Sequence, residues 1–312
     1  MSAHKTNWIL SFVACAGAAL FSTVALADVT LPDARVFPES LGAGPDGSLY
    51  IGSTAKGVIY RAAPGATTAS VWATKEKLNS QGVFGVFADP ASNTLYACST
   101  GLAPPGAPPV ETSLKAIDLK TGALKGSYAF PAGPAFCNDI AVAKNGDAYI
   151  TNTSGGSVLR LKKGANALEL WLADPQLAGA DGIAFLGDGS LIVTSIKSNL
   201  LVHIPIGADG KAGTAAPLTT SRPLTAPDGF RATGASTFLL IDKDTLSKVT
   251  VTGEKAQVDN IKTGLVSATA VALVKNTAYV TLGKLNYMFD PKLKDQDPGP
   301  FSVVAVPLQA GN

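Results

Sequence analysis

CNDIAVAKNGDAYITNT, Cys137 to Thr153, reads as a β-hairpin. Ile140 and Val142 alternate with smaller or polar residues, Asn145-Gly146 predicts a tight type I′ turn, and Ala148 to Thr151 returns as a β-rich run. Just before the first strand stand Asn138 and Asp139. The same unit recurs as PESLGAGPDGSLYIGS from Pro38, ADGIAFLGDGSLIVTS from Ala180 and PDGFRATGASTFLLID from Pro227. In each, a polar residue lies ten positions before the first apolar residue of the return strand: Glu39 before Leu49, Asn138 before Ala148, Asp181 before Leu191, Asp228 before Phe238.

Working outward, six return strands begin at Leu49, Leu95, Ala148, Leu191, Phe238 and Ala278, with spacings of 46, 53, 43, 47 and 40 residues. Such spacings suit four-stranded propeller blades. A third apolar strand follows each hairpin, from Val58 to Arg61 in the first repeat to Phe301 to Val306 in the last, and outer strands are visible at Ser70 to Ala73 and Leu168 to Leu172. No convincing helical period appears. The expected fold is all-β, a six-bladed β-propeller. Its last blade lacks an outer strand, and the β-like segment Thr30 to Phe37 is expected to supply it, closing the ring and covering an edge. LAPPGAPPV (Leu102 to Val110) and Lys284 to Pro300 are long loops that break the rhythm and could overhang one mouth of the ring.

Composition narrows the function classes. Of 312 residues only 15% are charged, the net charge is +2, and no window gathers Lys and Arg into a stripe, so nucleic acid and acidic membranes are unsupported as partners. The N-terminus reads as a secretory signal over residues 1–27: His4 and Lys5, an apolar run from Trp8 to about Leu26, and the small-x-small site Ala25-Leu26-Ala27. The mature domain is then 28–312, exported to a periplasm or medium and free of the membrane after cleavage; it is expected to be a monomer. In an oxidising compartment the two remaining cysteines, Cys98 and Cys137, are expected to form a disulfide.

The inner strand of each propeller blade lines the central channel, so equivalent positions form a ring. At the ten-residue offset that ring reads Glu39, Gly85, Asn138, Asp181, Asp228 and Ala268. Three carboxylates facing one another across a narrow channel repel or take up protons unless a cation neutralises them. One Glu, two Asp and an Asn carboxamide form a hard, all-oxygen donor set. One divalent cation is expected there, calcium ahead of magnesium and manganese; zinc would normally recruit His. The mature chain has only His203, in the apolar strand LLVHIPI, read as a packing or edge residue.

PESL at Glu39, CNDIAVAKNGDAYIT at Asn138, ADGIAF at Asp181 and APDGF at Asp228 resemble the gluconolactonase and senescence-marker-protein (regucalcin) family. That six-bladed superfamily also takes in strictosidine-synthase-like and paraoxonase-like proteins. The resemblance covers nearly the whole mature chain. It implies that Glu39, Asn138, Asp181 and Asp228 hold a divalent cation, with Asp228 of the PDG motif as catalytic general base, and that the reaction opens a lactone or ester. Two departures stand out. Asp181 replaces the Asn common in the lactonases, and Phe136 stands where sugar-lactone members often have Arg. With Phe136 and Asp139 as expected substrate-binding residues, the substrate should be small and fairly apolar rather than a polyhydroxylated acid. The alternative is a non-enzymatic propeller, stabilised by calcium, that binds a small molecule or a partner protein.

Overall fold

Turn chemistry repeats from blade to blade. In the computed structural model, which describes Met1 and residues 27–101 and 111–308, Gly146 N–H donates to Ala143 O at 2.8 Å and Gly146 takes φ 92° while Asn145 keeps negative φ. The hairpin therefore closes by a type I turn followed by a left-handed glycine, not by the expected type I′ turn. The cause is the Asn145 carboxamide, which accepts from Asp147 N–H at 3.0 Å and holds its own backbone on the negative-φ side. Asp46-Gly47 and Asp188-Gly189 use the same device, their carboxylates accepting from Ser48 and Ser190 N–H.

Six sheets stand around one axis, each built on four strands paired antiparallel from the channel outward. Blade one is Pro38–Ala43, Leu49–Ser53, Ile59–Ala62 and Ser70–Ala73. Blade two is Val83–Asp89, Thr94–Ser99, Ser113–Asp118 and Leu124–Ala129, and blade three is Cys137–Val142, Ala148–Asn152, Ser157–Leu161 and Glu169–Ala173. Blade four is Ala180–Phe185, Leu191–Ser195, Leu200–Ile204 and a very short Ala216–Pro217. Pro217 has no donor to extend that pairing, and the chain moves on to lay Thr219–Thr220 parallel against the outer strand of blade five. Blade five is otherwise Pro227–Ala232, Thr237–Asp242, Thr245–Thr252 and Lys255–Lys262. Blade six is Ala268–Val274, Thr277–Leu282 and Phe301–Pro307, completed by Val29–Leu31.

That last pairing is the expected closure, over a shorter stretch. Val29, Thr30 and Leu31 lie opposite Val303, Ser302 and Phe301. The rest of the predicted strand turns inward instead, with Arg35 and Phe37 at positive φ and Phe37 edge-to-face on Phe301 at 5.2 Å. The free side of the closing strand is covered in turn, because Thr30 exchanges hydrogen bonds with Thr67 O and Ala69 N–H of blade one.

Apolar side chains fill the wedges between neighbouring blades. Tyr149 and Val158 of blade three meet Ile183, Leu191 and Val202 of blade four, and similar clusters join the other pairs. Alternation along each strand thus buries both faces. Among the described residues no helix is long and apolar enough to cross a membrane. The proposed leader, apart from Met1 and Ala27, and the loop Leu102 to Val110 lie outside the described residues. The other long loop is fastened down. Asn286–Phe289 forms one helical turn, and the Arg35 guanidinium donates to Tyr287 O, Lys294 O and Gln296 O at 3.3, 2.8 and 3.2 Å.

Cys98, at the second strand of blade two, is bonded to Cys137, which opens blade three, with a Cα–Cα distance of 5.1 Å. Closing a loop across a sequence separation of 39 stabilises by about 3–4 kcal/mol in the chain-entropy account. A Cys98→Ala/Cys137→Ala variant should therefore unfold at a clearly lower denaturant concentration than the oxidised protein. Equal midpoints would show that the bond contributes nothing.

Candidate metal centre in the channel

Each inner strand breaks register at the same place. Pairing with the return strand slips by one residue after Pro38, Val83, Cys137, Ala180, Pro227 and Ala268. A bulge of this kind re-aims the side chain it carries. The residue after the slip is Glu39, Phe84, Asn138, Asp181, Asp228 and Thr269 in blades one to six. Register thus corrects the ring read from the fixed offset, which pointed to Gly85 and Ala268. The hairpin of blade two is one residue longer than that of blade three, and that of blade six is one shorter.

The next residue in each bulge is Ser40, Gly85, Asp139, Gly182, Gly229 and Ala270. Five of the six are small, for a steric reason. A Cβ on Gly85 would stand 2.0 Å from Asn138 O, and one on Gly182 would stand 2.6 Å from Asp228 O. Neighbouring inner strands therefore pass almost backbone to backbone, and the channel is narrow.

Into it project the predicted donors. Glu39, Asp181 and Asp228 each offer one carboxylate oxygen, and these lie within 4.8 Å of one another. Glu39 and Asp181 are buried, while Asp228 is the least covered of the three. Asn138 is buried beside them and donates from Nδ2 to Asp181 Oδ2 at 3.0 Å and to Thr153 Oγ1 at 3.1 Å. Threonines of the return strands fix the backbone behind the site: Thr151 Oγ1 donates to Asp181 O at 2.6 Å and Thr194 Oγ1 to Asp228 O at 3.2 Å. In the sequence these threonines recur as the endings AYIT and LIVT, where nothing local marks them as supports of a site.

Phe136 and Asp139 sit differently from the four donors. Phe136 is half-buried, edge-to-face on Phe84 at 4.6 Å, and is not among the residues that line the small cavity between the carboxylates. Asp139 does line it but is committed elsewhere. Its carboxylate takes two hydrogen bonds from Arg231, at 2.5 and 2.9 Å, and a third from Ile183 N–H at 3.2 Å. Arg231 was missed in the sequence. Its signal was a lone arginine inside an inner strand, three residues beyond Asp228 in PDGFR. His203 lies on the third strand of blade four, 2.9 Å from Ser190 Oγ, away from the inner strands.

Electrostatics follow from burial. Desolvation, then the charges of Asp181 and Asp139, pushes Glu39 well above the usual carboxylate range. Desolvation, then Asp181 and Glu39, does the same to Asp228. Asp181 is pushed up to about 7, by burial first and Asp139 second. The donor set suits a hard divalent cation, because a charge of +2 at the common focus favours the ionised carboxylates that burial and neighbouring negative charge disfavour. Ser40 Oγ, buried in the cavity wall, has no hydrogen-bond partner among the described residues, and the cavity has room for roughly one water-sized sphere.

The sign of the pH effect is fixed by these directions. Carboxyls whose folded-state pKa is raised hold protons that the unfolded chain has already lost, so stability falls as pH rises through that window. Without added cation the melting temperature should fall by about 5 °C or more between pH 5 and pH 8, and calcium should flatten the decline. Calcium affinity itself should rise with pH across neutrality, as the cation stops competing with protons. Melting curves with chelator and with calcium, across pH, test both; a chelated protein that grows more stable from pH 5 to pH 8 would contradict the assignment.

No family model and no curated protein matches the sequence. Among solved structures the chain is similar to a candidate gluconolactonase, with a TM-score of 0.66 at 14% identity over 91% of this chain and 94% of that one. A gluconolactonase from Xanthomonas campestris gives 0.61 at 16% identity, covering 89% and 91% of the two chains. A luciferin-regenerating enzyme gives 0.62 at 15%, covering 89% and 93%. The chain has the fold of gluconolactonase-like six-bladed propellers. At these identities the likeness speaks for architecture, and chemistry has to be argued from the channel.

Proposed function

We propose that the protein is an exported, divalent-cation-dependent hydrolase that opens a lactone or ester of a small, fairly apolar substrate. One observation carries this reading: carboxylates from blades one, four and five meet with their oxygens within 4.8 Å of one another at the bulges of the inner strands. Glu39, Asn138, Asp181 and Asp228 would hold the ion, calcium by the hardness of the set. Bound there, it would supply Lewis-acid polarisation of a substrate carbonyl. Asp228, the least covered of the three donor carboxylates, would take the proton of an attacking water. Since the cavity holds about one water-sized sphere, the acyl group must sit outside it, at the mouth. Support for export comes from the apolar leader and from the Cys98–Cys137 bond, which persists in oxidising compartments.

The test is hydrolysis of a panel of lactones and esters of graded chain length by the purified protein, after chelation and after return of calcium, magnesium, manganese or zinc. Activity that disappears with chelator and returns with one ion is the expected result. Calcium-dependent melting without turnover of any panel member would favour the non-enzymatic, calcium-stabilised propeller instead.

A further inference from the structure

Beside the three carboxylates, in the wall of the same cavity, lies a charged pair that the proposed chemistry does not use. Among the second residues of the six bulges, Asp139 alone is large and charged, and Arg231 reaches it from blade five. Asp139 is buried and Arg231 is mostly covered, with side-chain exposures of 5% and 13%. The pair is bidentate, and Arg231 also donates to Phe230 O at 2.9 Å and to Val86 O of blade two at 3.5 Å. Blades two, three and five are thus strutted across the channel by one side chain. Both residues line the same small cavity as Glu39, Asp181 and Asp228.

Building on the cation site proposed above, we propose that Arg231, pinned by Asp139, is a positioning residue that matches the site to a divalent rather than a trivalent cation. The cavity wall carries four carboxylates and one guanidinium, a net charge of −3 when all are ionised. Because every oxygen of Asp139 is already bonded, the pair removes a fourth carboxylate from coordination and adds nothing to the net charge. The donors left are Glu39, Asp181, Asp228 and the neutral Asn138. Coulomb energy scales with the charge of the ion, so one extra negative charge at this range favours a trivalent ion over a divalent one of similar size by about tenfold or more, and one extra positive charge does the reverse.

Binding, not turnover, gives the readout. Terbium and calcium are close in size and ligand preference, so the ratio of their affinities reports charge matching and can be measured by terbium luminescence with calcium competition. Arg231→Gln should raise the terbium-to-calcium ratio by about tenfold, Asp139→Asn should lower it by a similar factor, and the double variant, which restores the net charge, should return it near the native value. Opposite signs make the test robust: if Arg231→Gln does not fold, Asp139→Asn, whose Asn can still accept from Ile183 N–H, carries the measurement alone. Variants that bind both ions with an unchanged ratio would overturn the proposal and leave the metal site standing. A native protein that binds neither ion would overturn both.

Discussion

Asp228→Asn should cut hydrolysis at least about a thousandfold while raising the melting temperature of the cation-free protein. The loss follows because one change removes a charged donor to the ion and the proposed proton acceptor, and a positioned general base by itself is worth a factor of about 10²–10⁴. The gain in stability follows from the same geometry. Glu39, Asp181 and Asp228 present oxygens within 4.8 Å of one another; burial first, and then the charge of neighbouring carboxylates, pushes all three carboxyls up, and Asp228 feels the repulsion of both Asp181 and Glu39. An isosteric amide relieves that repulsion and can hydrogen bond to Asp181. Stability sacrificed for a site is recovered when the site is disabled. Rates on the best ester or lactone, together with melting curves in chelator, decide the matter. A variant that is both inactive and less stable would mean that Asp228 serves the fold, and one that remains active would remove it from the chemistry.

The second large effect comes from a residue with no chemistry of its own. Gly85→Ala should lower the melting temperature by about 5–10 °C and weaken calcium binding at least tenfold, since overpacking where nothing can yield costs about 3 kcal/mol. Its Cβ would meet Asn138 O at 2.0 Å and Asp139 Cα at 2.9 Å, all backbone. Blades two and three are also tied there by Cys98–Cys137, so the strain is expected to fall on Asn138 and the Asp139–Arg231 pair. Gly65→Ala is the control. Gly65 has φ 76° and nothing within 4 Å of its Cβ position, so it should cost only about 1 kcal/mol from backbone conformation and leave calcium affinity untouched. Equal behaviour of the two variants would show that close approach at the channel is not what requires glycine.

What the sequence determined by itself was everything that rests on periodicity. Hairpins at regular spacing, apolar alternation and recurring Asp-Gly and Asn-Gly turns are local signals, and they specify six blades and even the need for an N-terminal strand to close them. The recurring polar residue ahead of four inner strands was also legible, because a repeat writes the same position again and again. Tertiary structure decided what depends on register and on distance across the ring. Only pairing shows that Glu39, Asn138, Asp181 and Asp228 occupy bulges, and that Phe84 and Thr269, not Gly85 and Ala268, share their place. Hairpins that differ in length by one residue shift the count without changing the pattern. The turn at Asn145-Gly146 went the other way from its dipeptide preference because a side-chain hydrogen bond to Asp147 outweighed it. Arg231 was out of reach for a different reason: its partner Asp139 lies 92 residues away, and a contact made across the axis by one blade alone leaves no repeat in the chain to read.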